Sequence, residues 1–500
     1  MKKLIFPAAT AAAFILSTST LGAEQNATQL TALSAQITQL EAQTQTLQHE
    51  LNQLRAKLQK NKKHAKTKSH AKSVAAPVTP ASSSFKPFDH FVTITTTPFL
   101  SDKTSYSGSD LLYNATSMNE DYTLLQQKKL LENELHKQHY DIDRPILQIS
   151  GDLEGQMYSD GGFGTATDNG IALSNAEIDI NAIASSWATG FMAIDYTNAP
   201  ISSGNRSPQA TLYLNRGFVT IGNLNQSPIY FSVGLMYPPF GRYMTTMLST
   251  PLTKSMGRIL SPTAELGFGL NNGLNGSIFA YSGSQTSGGS NLIEQEGANL
   301  GFKNTFGEHG SYTLGTAIVS NIADSQGMQN NGLSANTTQF AGFGVATATS
   351  TNNNALVHNV PGFNAHAKLG YGPVTLYSEY IGAMEQFSAS DMTFNGVGAQ
   401  PESIHNEMDY TLPFLPKRYG STVGVAYDHG WQALALNLPE NSYIGFFTMS
   451  IWRNTGESIE YRHDTDYSAS DYASGRGATA NTLGTGDGRN SVLAELDVYF

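Results

Sequence analysis

Leu147-Gln148-Ile149-Ser150-Gly151-Asp152-Leu153-Glu154-Gly155-Gln156-Met157 alternates without a break, with apolar residues or glycine at odd positions and polar or charged residues at even ones. Successive side chains of a strand point to opposite faces. This stretch therefore has one face suited to lipid and one suited to water, the signature of a strand between a bilayer and a wet lumen. Further segments repeat the theme less cleanly, at about 171–184, 187–197, 211–223, 228–237, 263–271, 274–282, 297–306, 310–320, 362–372, 373–386, 404–412, 420–429, 443–452, 456–466 and 490–500. Together they make about sixteen strands, an even number within the range of bacterial barrels. The fold class expected is all-β, a transmembrane antiparallel β-barrel over 147–500.

The connections support this reading. Short ones such as Gly222 to Gln226 alternate with long ones such as Asn321 to Pro361, as short periplasmic turns and long outer loops require. The chain closes on Val492-Leu493-Ala494-Glu495-Leu496-Asp497-Val498-Tyr499-Phe500. An alternating last strand with a terminal Phe500 resembles the barrel assembly signal of outer-membrane proteins.

The start of the chain fits export. Lys2 and Lys3 precede an apolar run from Leu4 to Leu16, and Leu21-Gly22-Ala23 offers a cleavage site before Glu24. Residues 1–23 thus have the layout of a signal peptide; the alternative, a membrane anchor, needs a longer run of roughly 20 residues. With no cysteine in the chain, a lipid-anchored cysteine, thiolate metal sites and disulfides are excluded. Forty-seven glycines, many aromatic residues and only 14% charged residues make a strand-and-turn composition. The net charge of -11 is uneven: residues 1–72 hold ten Lys or Arg against three acids, leaving 19 basic and 37 acidic residues, a net of -18, in the remainder.

Leu30, Leu33, Ile37, Leu40, Thr44, Leu47, Leu51, Leu54 and Leu58 alternate three- and four-residue steps. The spacing predicts an α-helical coiled coil over 24–60. One helix cannot bury such a seam, so self-association follows, with a trimer favoured because porin barrels commonly pack that way. A lone amphipathic helix lying on another surface is the alternative. Residues 61–84 form a basic, then Ala/Pro/Ser-rich linker, either a solvated spacer or a contact to peptidoglycan or lipid headgroups. Residues 85–146 read as a periplasmic or plug-like segment with one helix. In it Ser117 and Glu120 have capping-box spacing, and Leu124, Leu125, Leu131 and Leu135 give an apolar side.

No catalytic constellation is present: the histidines are scattered, and there is no HExxH, phosphate loop or nucleophile elbow. We expect no enzyme activity, no cofactor, no metal site and no nucleic-acid partner. The most distinctive stretch is 238–262, set off by prolines and carrying Arg242, Lys254 and Arg258 within an acidic body. A surface loop is one reading. The other is a loop folded into the lumen, where these cations face the pore and draw in an anionic solute, while charges in 321–361 matter little. Arg216, Lys303, Lys368, Arg418, Arg453 and Arg462 lie on strands or strand ends and could also point inward.

Several stretches together resemble the LbtU family of siderophore porins. They are the heptads and linker, Val92-Thr93-Ile94-Thr95-Thr96-Thr97-Pro98-Phe99-Leu100, Ser109-Asp110-Leu111-Leu112-Tyr113-Asn114, Ser117-Met118-Asn119-Glu120-Asp121, Leu124-Leu125-Gln126-Gln127, Pro239-Phe240-Gly241 and Phe500. The resemblance implies a sixteen-strand barrel in the cell outer membrane with an N-terminal extension in the periplasm. It further implies uptake of a ferric polycarboxylate siderophore, without a TonB-type plug. A general diffusion porin and a structural tether to the cell wall are the competing readings.

Overall fold

The computed structural model describes residues 93–96, 119–137, 145–163, 167–197, 211–283, 293–333, 337–345, 356–413, 420–452 and 454–500. The signal peptide, coiled coil and linker expected over 1–84 lie outside these residues, as do Arg418 and Arg453.

Sixteen long strands form a closed antiparallel barrel. In chain order they are β1 (Ile146–Asp160), β2 (Asp168–Ile183), β3 (Ala188–Thr197), β4 (Thr211–Gly222), β5 (Ile229–Met236) and β6 (Ser261–Gly269), then β7 (Leu274–Tyr281), β8 (Gln295–Phe306), β9 (Gly310–Val319), β10 (Gly362–Tyr371) and β11 (Val374–Ala383). The last five are β12 (Glu402–Thr411), β13 (Thr422–Trp431), β14 (Asn441–Met449), β15 (Thr455–Thr465) and β16 (Gly488–Tyr499). Each pairs with its chain neighbours, and β16 closes the ring on β1, from Asp152↔Tyr499 to Asp160↔Ser491. Closure leaves no barrel edge, so every strand can satisfy its backbone groups within the bilayer.

The alternation that announced the fold sorts the two faces. On β1, Gln148, Ser150 and Asp152 are buried in the lumen, whereas Leu153 and Met157 are exposed. Leu153, Ile171, Val219, Phe231, Ile278, Leu314, Val425 and Leu496 belong to an outward apolar belt. In water this surface would be a liability; in hydrocarbon it is the proper solvent contact. Exposed aromatics stand at both rims, Trp187, Tyr371 and Trp452 at the short-turn end and Trp431 and Tyr443 at the other. The short-turn end, where the last strand also finishes, is the periplasmic one by the pattern of such barrels.

The last residue completes the seam. Phe500 exchanges two backbone hydrogen bonds of 3.0 Å with Gly151. A Cβ built on Gly151 would lie 2.6 Å from the Phe500 ring, so only glycine admits this contact. The pairing of β16 with β1 begins at Asp152, leaving Ile146–Ile149 at the start of β1 for another partner. A short strand, Thr93–Thr96, covers it by parallel pairing, from Thr93↔Ile146 to Thr96↔Ile149.

Helix α1 (Glu120–Lys137) packs on the inner wall at the periplasmic end. Leu124 joins Phe191, Phe218 and Met236; Leu125 and Tyr122 meet Tyr230; Leu131 and Leu135 meet Ile146 and Ile183. The apolar side read from the sequence thus faces an apolar patch of the lumen wall. The capping-box reading is corrected: the helix begins at Glu120, after Asn119 at φ 63, so Glu120 is its first residue rather than its third. Its carboxylate turns instead to Arg216, 3.1 Å away.

At the outer end the long connections pack on one another. Tyr237, Phe240, Tyr243, Ile322, Met328, Phe340, Phe387 and Leu434 belong to one buried apolar cluster. A small four-stranded sheet, Met392–Phe394, Val397–Gly398, Tyr472–Gly475 and Thr482–Leu483, staples two of these loops.

Candidate functional site

The segment between β5 and β6 runs into the lumen. Its bounds differ from 238–262, because Pro262 already lies within β6. At its start, Pro238, Pro239, Phe240 and Gly241 turn the chain sharply: Gly241 has φ 93, Tyr243 has φ 50, and the Tyr243 hydroxyl donates to the Phe240 carbonyl at 2.7 Å. The chain then crosses to the opposite wall. Its N–H groups would be orphaned there, and a buried unpaired donor is costly. Carboxylates of four facing strands accept them. Glu379 on β11 takes the Arg242 N–H at 2.8 Å and the Tyr243 N–H at 2.6 Å. Glu407 on β12 takes Thr246 N–H at 2.7 Å, Glu460 on β15 takes Leu248 N–H at 2.7 Å, and Asp428 on β13 takes Leu252 N–H at 3.2 Å. Charge-assisted bonds of this kind are the strong ones. The loop ends in helix α2 (Leu252–Gly257), where a Cβ on Gly257 would overlap Ile381 of β11 at 1.8 Å.

A second node lies beside this loop. A bulge opposite Ala193 and Ile194 puts Asn215 and Arg216 inside together. Arg216 is fully buried, 2.7 Å from Glu177, 3.1 Å from Glu120 of α1 and 3.8 Å from Asp179, with its guanidinium 5.3 Å from the Tyr237 ring centroid. Arg258 lies 5.0 Å from the same centroid and donates to Gln326 Oε1 at 2.7 Å.

A third feature is a chamber of about 580 Å³ between α1 and the wall formed by β7–β10. Tyr122, Gln126 and Lys129 of α1 form one side, Asn275, Asn299, Lys303, His366 and Lys368 the other, and Arg242 with Met244 reach it from the inward loop. Among the described residues no carboxylate lines it. Elsewhere the lumen is acidic: Asp152, Glu177, Asp179, Asp195, Glu265, Asp464 and Asp497 are all buried. Among the described residues, Glu154, Glu495 and Asp497 bring carboxylate oxygens within 4.8 Å of one another, the grouping that a hard cation would accept.

The three cations singled out in the sequence do not converge. Arg242 lines the chamber, whereas Lys254 and Arg258 lie on and just after α2. Burial pushes the Lys254 ammonium down to about 7, and neighbouring Arg258 adds to this. Lys303 and Lys368 line the chamber, and Arg216 and Arg462 are buried in the lumen, the latter donating to Asp464, Ser249 and Ser442. Apart from its charges, the segment 321–361 makes uncharged contacts to the inward loop. Gln326 N–H donates to the Arg258 carbonyl, and Ile322, Ala323 and Met328 are buried, so this segment supports the inward loop. Sequence reading missed Lys129 and the carboxylates that hold the loop. Polar residues two apart, as at Glu407 and Asp409, were their available signal.

No known family profile matches the chain. A UPF0422 protein of Legionella pneumophila (strain Lens) is 36% identical over 415 residues, covering 81% of this chain and 76% of the relative. A UPF0422 protein of Coxiella burnetii is 34% identical over 411 residues, covering 81% and 83%. Among solved structures, an anion-selective porin from Comamonas acidovorans aligns at 10% identity and TM-score 0.46, over 71% of this chain and 100% of that one. The outer-membrane channel DcaP of Acinetobacter baumannii aligns at 11% identity and TM-score 0.42, over 71% and 98%.

Proposed function

The chain belongs to the UPF0422 family, and from that premise we propose that it is an outer-membrane channel for small anionic solutes, a ferric polycarboxylate siderophore among them. The observation that carries the channel reading is the inward loop, held across a closed barrel by wall carboxylates. A barrel serving only as an anchor has no use for a narrowed, polar interior. The anion preference is supported by the base-lined chamber. The iron complex is supported by the sequence resemblance over 91–131 and not by any feature of the lumen. Among the described residues, the segment preceding the barrel places only helix α1 in its interior, consistent with passage that does not use a TonB-type plug. Trimer formation through the heptads belongs to the same proposal.

Purified protein in planar bilayers tests the channel, with stepwise conductance and anion preference at low salt as the expected result. Replacing Arg242, Lys254 and Arg258 together with Gln should shift selectivity toward cations and weaken ferric polycarboxylate uptake. Equal retention of ferric and iron-free ligand would remove the siderophore from the reading. A second reading, a tether to the cell wall, is favoured by the strand Thr93–Thr96, which ties the N-terminal extension to β1. Deleting 24–84 separates the two, because a tether would lose envelope integrity while a channel keeps its conductance.

A further inference from the structure

We propose that the chamber beside α1 is a retention site for a small, multiply charged anion, and that α1 forms one of its walls. Its bases come from four separate parts of the chain: Lys129 on α1, Arg242 on the inward loop, Lys303 on β8, and Lys368 on β10. A basic track along a pore wall would leave like charges spread out along it. Here they surround one volume of about 580 Å³, a space about one screening length across at physiological salt, ~8 Å. Like charges gathered around so small a volume repel, and a shared anion relieves that repulsion. Among the described residues the nearby carboxylates do not line the chamber: Glu379 and Glu407 accept N–H groups of the inward loop, and Asp409, within electrostatic reach of Lys368, accepts the Thr246 hydroxyl. The amides of Asn275 and Asn299 each spend one N–H within the protein, on the Gly273 carbonyl and on Asn119, and each carries a second. The volume admits a solute of citrate or pyrophosphate size. Charge recognition is shared by carboxylate and phosphate anions, so the site is assigned to polyanions as a class.

The proposal rests on the channel reading only for delivery of the solute. Calorimetry on the full mature protein in detergent, with citrate and pyrophosphate as separate probes, tests it. Binding of either, weakening steeply between low and high salt, is the expected result, and the better of the two names the chemistry. Lys129→Gln and the pair Lys303→Gln/Lys368→Gln should each weaken binding by tenfold or more. Lys137→Gln, at an exposed site on the same helix, should leave it unchanged. Because the chain has no cysteine, Thr123→Cys, which lines the chamber, gives a second readout: citrate or pyrophosphate should protect it from a negatively charged thiol reagent. Absence of binding by a correctly folded barrel, or binding indifferent to Lys129 and to the Lys303/Lys368 pair, overturns the site. Conductance measured on the same preparation keeps the two ideas apart. A barrel that conducts and does not bind loses only the site; one that binds and does not conduct loses only the channel.

Discussion

Arg216 stands where the two-residue alternation of its strand slips. Leu214 faces out while Asn215 and Arg216 both face in, and this irregularity marks the one guanidinium that holds Glu120, Glu177 and Asp179 together. Removing one partner of a buried ion cluster costs roughly 3–5 kcal/mol, because the others remain desolvated. Arg216→Met should therefore lower the thermal midpoint at which the barrel loses its compact gel mobility, and adding Glu177→Gln should recover part of the loss. Lys254 makes a different prediction. Its ammonium titrates near 7, so it is charged below that pH and neutral above it. The difference in anion preference between wild type and Lys254→Gln should be largest at pH 6 and vanish above pH 8. Equal differences at both ends would show that Lys254 stays charged throughout. Neither role was legible beforehand: a cation's presence can be read from a sequence, but its partners come from strands far away in the chain.

At the scale of elements, legibility followed periodicity. All sixteen barrel strands were readable, since each must alternate to separate lipid from water. Helix α1 was readable from Leu124, Leu125, Leu131 and Leu135, although its first turn was not, because Glu120 answers to Arg216 and not to the local cap. The small sheet at 392–398 and 472–483 escaped notice; its strands run only two to four residues, too short to show any period. The path of the inward loop was suggested by its prolines and bases, while its anchors, Glu379, Glu407, Asp428 and Glu460, become visible only after closure. Helix α1 carries the prediction for this scale. Burying Leu125 contributes roughly 1.5–3 kcal/mol, and Leu125→Asp would place a charge against Tyr230. The variant should release the helix from the wall and raise conductance. Unaltered conductance in an assembled barrel would mean that α1 does not limit flow.

For the molecule as a whole, the outward belt and the seam decide where the chain can live. The mature protein should fractionate with the outer membrane and migrate faster on unheated than on heated gels. Deleting Phe500 should slow assembly, and so should Gly151→Leu, which keeps Phe500 but closes the space beneath its ring. Recovery of the wild type as a soluble periplasmic species would overturn the architecture. The coiled coil belongs to this scale too. A peptide of residues 24–60 should gain helicity with concentration, and a sedimenting monomer at high micromolar concentration would end the trimer idea.

The strand Thr93–Thr96 also has a mechanical meaning. It runs parallel to β1, with Thr93 nearest the periplasmic rim, so tension applied from its N-terminal side acts along the strand axis. Its pairings are then loaded together in shear, instead of being peeled apart one after another. Thr96 precedes α1 in the chain, so among the described residues this clasp is the first paired element that the pull meets. Stretching a single barrel from position 92 should show one abrupt rupture at small extension, before any wall strand is extracted. A smooth rise from zero force, with no such event, would mean that the clasp bears no load.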